Sequence, residues 1–79
     1  MTEPLSTDEN ARAILGIFRD EGVQAGEVVT AGALYEAFLQ NPNHQAQNYA
    51  AALRRAGEKG WLIDERNIVR LTESGSKEL

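Results

Sequence analysis

The sequence predicts a small α+β domain in the order helix, short strand, helix, turn, helix, hairpin. Three observations support this class. The chain has 79 residues, of which 42% are hydrophobic and 25% charged, as expected for one folded domain. Apolar residues recur at helical spacing in three segments, and two β-capable runs then flank a polar turn near the C-terminus.

The first helix is expected to begin at Thr7, after a flexible N-terminus over residues 1–6. Ser6 and Glu9 have the spacing of a capping box. Gly22 is suited to end the helix. The apolar residues between these signals follow the i, i+3, i+4, i+7 pattern of a buried stripe: Ala11, Ile14, Leu15, Ile17 and Phe18.

A brief strand at Val28-Val29 is expected to precede a second helix over residues 31–40, which Thr30 can cap. The Asn41-Pro42-Asn43 run ends this helix, because proline cannot continue it. Asn43 is a suitable N-cap, so the sequence predicts a third helix from His44 to Lys59 that ends at Gly60.

The C-terminal part is predicted to be a hairpin, with strands at residues 61–63 and 68–71 around a four-residue polar turn. Thr72 can cap a last helical turn, and residues 76–79 are expected to fray. The second and third helices form a helix-turn-helix unit, whose second helix can enter the major groove of DNA. The hairpin would then be a wing.

This arrangement resembles the winged helix-turn-helix superfamily over roughly residues 8–75. The similarity lies in Ala51–Ile63, with its Gly-Trp-Leu exit from the third helix, and in Leu71–Gly75, which reads Leu-Thr-Glu-x-Gly. The Pro42-Asn43-His44 turn is similar to that of small phage and prophage winged-helix proteins. The resemblance implies one winged-helix domain over residues 7–75, with three helices, a two- or three-stranded wing and a role in transcription regulation.

Charge is unevenly distributed along the chain. The net charge is −4, which argues against strong nonspecific binding to phosphate. Residues 1–43 carry two arginines against seven acids, whereas residues 44–70 carry five bases against three acids. The third helix and the hairpin therefore form a basic segment of an acidic chain, which is compatible with nucleic-acid binding.

A rotation of about 100° per residue predicts which face of the third helix is buried. The expected core side contains Ala46, Tyr49, Ala50, Leu53, Ala56 and Gly57. The expected outer side contains His44, Asn48, Ala51, Arg55 and Lys59, with Gln45, Gln47, Ala52 and Arg54 at its flanks. In this orientation Arg55 points away from the core and Arg54 lies to one side.

The first functional hypothesis is a double-stranded DNA-binding module. Asn and Gln can bond adenine, and Arg can bond guanine, so four side chains are candidates for base readout: Gln45, Gln47, Asn48 and Arg55. Five more are candidates for phosphate contacts from helix and wing: His44, Arg54, Lys59, Arg66 and Arg70. A homodimer through the first helix or the C-terminal turn is expected if the chain regulates transcription.

The alternative hypothesis is a protein-interaction module with an acidic binding face on the same scaffold, because a fold does not fix a function. A continuous positive strip over the third helix and the hairpin would favour DNA. Interruption of that strip by Glu58, Asp64 and Glu65 would favour a protein partner. The sequence contains no catalytic constellation, cofactor motif, metal-ligand spacing, secretory signal or membrane span, so a cytoplasmic non-enzyme is expected.

Overall fold

A computed structural model describes residues 6–41 and 44–79. It shows an α+β domain with four helices and a three-stranded antiparallel sheet, which confirms the predicted class. The elements, in chain order, are α1 (Thr7–Asp20), β1 (Val28–Thr30), α2 (Ala31–Gln40), α3 (Ala46–Glu58), β2 (Leu62–Asp64), β3 (Ile68–Leu71) and α4 (Glu73–Lys77).

The predicted starts of the first two helices are confirmed. The Ser6 side chain accepts the Glu9 N–H at 3.1 Å, and the Glu9 carboxylate accepts the Ser6 N–H at 3.2 Å. Each therefore satisfies an N–H group that has no partner within the helix. Thr30 caps α2 in the same way, accepting the Ala33 N–H at 3.2 Å.

The third helix is shorter than predicted. It begins at Ala46, and its N-cap Gln45 makes no side-chain capping bond, whereas the predicted N-cap Asn43 lies outside the described residues. Gly60 ends the helix as predicted, with φ +78°. The Gly60 N–H bonds the Gly57 carbonyl and the Trp61 N–H bonds the Ala56 carbonyl, both at 3.0 Å. These two bonds form a Schellman motif, which requires a left-handed residue at this position.

The sheet has the order β1-β3-β2, so the hairpin β2–β3 gains a third strand from the segment before α2. Val29 lies opposite Val69, and Leu62 lies opposite Leu71. These side chains face the helices and close a core that is built mainly from α1, α2 and α3. The buried apolar residues are Ala11, Ile14, Leu15, Phe18, Leu34, Phe38, Ala52, Ala56, Trp61, Leu62, Val69 and Leu71.

A fourth helix follows the hairpin, where the sequence predicted a single capped turn. The Thr72 hydroxyl accepts the Gly75 N–H at 3.0 Å and lies 2.8 Å from the Trp61 carbonyl oxygen. A side chain at Gly75 would collide with that same carbonyl and lie 2.9 Å from Leu71 Cδ1. The Leu-Thr-Glu-x-Gly run therefore holds α4 against the exit of α3. Beyond it, Glu78 pairs with Arg12 at 3.3 Å.

Candidate functional site: the exposed surface of the second and third helices

The buried side of α3 differs from the predicted one by roughly one residue step around the helix. Ala52 and Ala56 are fully buried, and Asn48 is partly buried on the same side. Asn48 was predicted to point outward and Ala52 to lie at the flank, so both predictions are wrong. Three residues predicted to lie in the core are instead exposed: Ala46, Ala50 and Gly57. Alanine occurs on every side of this helix, so its apolar pattern did not determine the orientation.

The two arginines of α3 differ from the prediction in their orientation. Arg55 Nε lies 3.6 Å from Asp8 Oδ1 and 3.8 Å from Glu58 Oε1, so this side chain lies beside the N-terminus of α1. Arg54 occupies the side opposite Ala52 and Ala56, and no described carboxylate lies within 4.0 Å of it. Arg54 is therefore the outward cation of α3, and Arg55 belongs to an ion-pair cluster.

Two residues that were predicted to contact phosphate, His44 and Lys59, lie just beyond the two ends of α3 and contact neighbouring groups of the protein. His44 Nδ1 lies 3.0 Å from the Phe38 carbonyl oxygen, and the two rings stack with centroids 4.5 Å apart. Because a carbonyl only accepts, this Nδ1 carries a proton. Lys59 Nζ lies 5.3 Å from the Trp61 ring centroid, at a cation–π distance. His44 therefore packs against Phe38 near the end of α2, and the Lys59 ammonium lies over the ring of the buried Trp61.

The hairpin keeps one exposed cation without an ion pair. Arg70 Nε donates to Glu65 Oε2 at 2.8 Å, and its Nη1 donates to the Gly26 carbonyl at 2.7 Å. Arg66 lies in the turn with φ +74°, and its backbone N–H donates to Asp64 Oδ1 at 3.0 Å. No described carboxylate lies within 4.0 Å of the Arg66 guanidinium. Arg70 thus stabilises the wing, and Arg66 is exposed at its tip.

Of the three amide side chains predicted to read bases, Asn48 is partly buried and the two glutamines are exposed. Gln47 Nε2 donates to Gln45 Oε1 at 2.7 Å, and both side chains are exposed. Among the residues predicted to contact DNA, the structure leaves Gln45, Gln47, Arg54 and Arg66 exposed and outside both ion pairs and cation–π contacts with described residues.

An exposed apolar surface lies across α2 and α3, and the sequence did not indicate it. Tyr35 and Leu39 remain 38% and 37% exposed although both side chains are large and apolar. The Tyr35 ring contacts the Tyr49 ring edge-on, with centroids 5.0 Å apart. Ala46 and Ala50 follow on the exposed side of α3. We call these five residues the α2–α3 face. The i, i+4 spacing of Tyr35 and Leu39 is the signal that could have indicated it.

A groove lies at one edge of this face, between α3 and β2. It has a volume of about 420 Å³ and is lined by Tyr49, Ala50, Leu53, Arg54, Gly57 and Asp64. We call it the α3–β2 groove. The Tyr49 hydroxyl is inaccessible to solvent and has no hydrogen-bond partner within residues 6–41 and 44–79. Its burial, and secondarily the negative charge of Asp64, raise the pKa of Tyr49 above its usual value.

A wider open cleft, of about 770 Å³, lies between α1, α2 and the C-terminal residues. Its arginines have nearby acidic partners: Arg12 pairs with Glu78 at 3.3 Å, and Arg19 with Asp20 at 3.5 Å. These exposed pairs are individually weak, but they leave the cleft without a concentration of one charge. The α2–α3 face and its groove are therefore the stronger candidate site.

Within residues 6–41 and 44–79, no three His, Cys, Asp or Glu side chains cluster as metal ligands would. None of the helices in these segments has the length and apolar character needed to cross a membrane. No family model, curated protein or solved structure matches the chain.

Proposed function

We propose that this chain is a protein-interaction module on a winged-helix scaffold and that it binds its partner through the α2–α3 face. Support for the scaffold comes from the element order, since a helix, a strand and two further helices precede a hairpin. The hairpin pairs with the strand before α2 and follows directly on α3, where a wing would lie. Fold by itself does not fix the partner, which must be argued from the surface.

One observation carries the proposal: two large apolar side chains of α2 remain exposed next to exposed alanines of α3, while most of the nearby bases are engaged. Tyr35 and Leu39 are exposed on α2, and Ala46, Ala50 and Ala51 are exposed on α3. A contiguous apolar surface on a small protein commonly marks a binding site. Tyrosine is also among the residues that contribute most to protein interfaces.

Electrostatics support a protein partner more than DNA. Arg55 and Arg70 form ion pairs, and Lys59 lies over Trp61. Carboxylates in the same region partly offset the charges of the two arginines. The net charge of the whole chain is −4. Glu58 and Glu65 therefore interrupt the positive strip over α3 and the hairpin. A continuous strip would favour phosphate binding.

Double-stranded DNA is a second candidate, which one specific observation favours. Gln47 and Arg54 are exposed on the outward side of α3, with Ala51 beside them, and Arg66 lies at the tip of the hairpin. Amide and guanidinium groups of this kind can bond adenine and guanine in the major groove, and alanine permits close approach. In this role α3 would read bases through residues that differ from Asn48 and Arg55.

Selection of a random 16-residue peptide library against the full chain tests the two candidates. We expect enriched peptides to bind the wild type and to lose affinity for Ala50→Lys, because the long charged side chain disrupts the α2–α3 face. Ala25→Lys is the matched control, since Ala25 is exposed in a turn before β1. It should leave peptide binding unchanged.

A 20-base-pair duplex supplies the opposite expectation. If α3 binds DNA, Ala50→Lys should strengthen that binding, because it adds a cation beside Arg54. Failure to enrich any peptide that depends on Ala50, together with duplex-induced amide shifts along α3, would overturn the protein-interaction proposal in favour of DNA.

A further inference from the structure

We propose that the free edge of β1 binds an extended, basic segment of a partner protein, which pairs with the strand and inserts one aliphatic side chain into a pocket beside it. The pocket lies between the C-terminal end of α1, β1 and the first turn of α2, and we call it the β1 pocket. It is lined by Ile17, Glu21, Val29, Ala33 and Leu34. This surface shares no residue with the α2–α3 face, so the inference goes beyond the function proposed above and does not depend on it.

The strand β1 lies at an edge of the sheet. β3 pairs with one side of it, and no described strand pairs with the other. The Leu71 N–H donates to the Glu27 carbonyl at 3.0 Å, and the Ala31 N–H donates to the Asn67 carbonyl at 2.8 Å. Bonded residues alternate along a strand, so the residues between these bonds direct their backbone groups to β3 and away from it in turn.

Val28 and Thr30 are the residues of β1 whose backbone groups point away from β3, and both are exposed. Thr30 is the N-cap of α2, so its carbonyl belongs to the hydrogen bonds of that helix. The free edge therefore offers the N–H and carbonyl of Val28 and the N–H of Thr30. Backbone groups in this arrangement bind a segment in extended conformation, which adds a strand to the sheet.

The β1 pocket favours an aliphatic side chain. Its volume is about 100 Å³, and four of its five lining residues are apolar. This space is smaller than the roughly 150 Å³ of an engineered protein cavity that binds benzene, so it suits one valine, isoleucine or leucine side chain. Val29 packs against the core on the helix side of the sheet. A strand paired with β1 places every second side chain on that same side.

The charge around the pocket favours a basic segment. Glu21 lines the pocket, and no described cation lies within 4.0 Å of its carboxylate. Arg19, the nearest base along the chain, pairs with Asp20 at 3.5 Å and lines the wider cleft instead. A lysine or arginine two residues from the inserted side chain would lie on the same side of the segment, towards Glu21. Residues 20–36 contain four acids and no base: Asp20, Glu21, Glu27 and Glu36.

The test uses a ten-residue peptide with the core Lys-Thr-Val-Thr-Lys and a charge-reversed peptide with the core Glu-Thr-Val-Thr-Glu. Amide NMR of the full chain at 150 mM NaCl gives the binding site and the dissociation constant. We expect the basic peptide to shift Val28, Val29, Thr30 and Ala33, and the acidic peptide to leave them unshifted at the same concentration.

Two modified basic peptides test the backbone pairing. Each carries one N-methyl group, either on the valine or on the threonine that follows it. The N–H groups of adjacent residues point to opposite edges of a strand, so only one of these groups can face β1. We expect one modified peptide to bind about tenfold more weakly than the unmodified peptide, and the other to bind within about twofold of it.

Variants of the chain test the pocket and its charge with the basic peptide. Ala33→Leu should weaken binding by about tenfold, because the longer side chain fills the β1 pocket. Ala51→Leu, on the exposed side of α3, should change binding by less than about twofold. Glu21→Gln should weaken binding by about threefold, as expected for an exposed ion pair. Asp8→Asn is its control, because Asp8 lies at the opposite end of α1, roughly 20 Å away.

Any of four results would overturn the inference. They are absence of shifts in β1 with the basic peptide at 1 mM, equal shifts with the acidic peptide, equal affinities of the two N-methylated peptides, or equal effects of Ala33→Leu and Ala51→Leu. Equal losses for Glu21→Gln and Asp8→Asn would refute the basic character of the partner. Shifts of β1 that depend on protein concentration without peptide would assign the edge to a second copy of the chain and refute the proposal. None of these results bears on the α2–α3 face, which Ala50→Lys tests separately.

Discussion

Tyr49 joins three structural features of this domain. Its ring contacts Tyr35 and Phe38 edge-on, with centroids 5.0 and 5.5 Å away. Its hydroxyl is closed to solvent and has no hydrogen-bond partner among the described residues, although the residue lines the α3–β2 groove. The sequence analysis placed the residue in the core, which describes the ring but not the hydroxyl. Because an unsatisfied buried hydroxyl opposes folding, it lowers the stability of the free protein.

Replacement of Tyr49 by phenylalanine should therefore stabilise the free protein. Removal of the unpartnered hydroxyl is expected to raise the free energy of unfolding by about 1 kcal/mol. Urea unfolding at pH 7 measures this change, with Tyr35→Phe as the control because Tyr35 is exposed. A loss of stability in Tyr49→Phe would show that the hydroxyl has a stabilising partner in solution.

The same residue predicts a dependence of stability on alkaline pH. The folded state raises the pKa of Tyr49 above its usual value of 10.0, through burial first and the negative charge of Asp64 second. The unfolded chain therefore releases this proton at lower pH than the folded chain. The contribution is fully present below pH 10 and is lost as pH rises through the folded pKa. Unfolding free energies between pH 8 and 11 should fall less in Tyr49→Phe than in Tyr35→Phe.

At the scale of elements, α3 shows how a helix can be located correctly and oriented wrongly. Its exit at Gly60 followed directly from the need for a left-handed residue. Its orientation depended on which alanines pack against α1, and Ala50, Ala51 and Ala52 offer nearly equal choices. In the structure Ala52 and Ala56 are the fully buried alanines, and their small side chains let α3 pack closely on α1.

A pair of neighbouring substitutions tests this orientation. Ala52→Leu should lower the free energy of unfolding by about 1–3 kcal/mol, because the fully buried site has no room for three more carbons. Ala51→Leu, on the exposed side, should change it by less than about 0.5 kcal/mol. Thermal unfolding of the two variants decides the question. A larger loss in Ala51→Leu than in Ala52→Leu would contradict the burial of Ala52.

The hairpin is held in place by contacts with residues outside its two strands and turn. Arg70 joins the turn residue Glu65 to the Gly26 carbonyl, which precedes β1 by two residues. Thr72 and Gly75 attach α4 to the Trp61 carbonyl at the start of the hairpin. Arg70 therefore fixes the hairpin to the segment before β1, and Thr72 and Gly75 fix it to α4.

At the scale of the whole molecule, the distribution of charge limits any binding to DNA. Arg54 and Arg66 are the exposed bases of α3 and the hairpin that have neither a described carboxylate within 4.0 Å nor a cation–π contact, which Lys59 makes with Trp61. If both contact phosphates, the logarithm of the DNA association constant should fall with the logarithm of salt with a slope of about −2. A titration between 50 and 200 mM NaCl measures the slope.

A slope of about −4 or steeper would contradict this limit. It would mean that Arg55 and Arg70 leave Asp8, Glu58 and Glu65 when DNA binds. Arg54→Ala should reduce the slope by about one unit, whereas Arg12→Ala, on α1, should leave it unchanged.

The sequence by itself determined the class of fold, the order of the elements and most of their ends. Capping groups, glycines and proline act over a few residues, so Ser6, Thr30 and Gly60 could be interpreted without tertiary structure. Tertiary structure alone decided which side of α3 is exposed, which bases are paired and that the Tyr49 hydroxyl is buried. Those outcomes depend on contacts between residues distant in the chain, such as Asp8 with Arg55 and Gly26 with Arg70. A local pattern cannot determine them, because the sequence around an arginine does not show whether its side chain will face solvent or a carboxylate from another element.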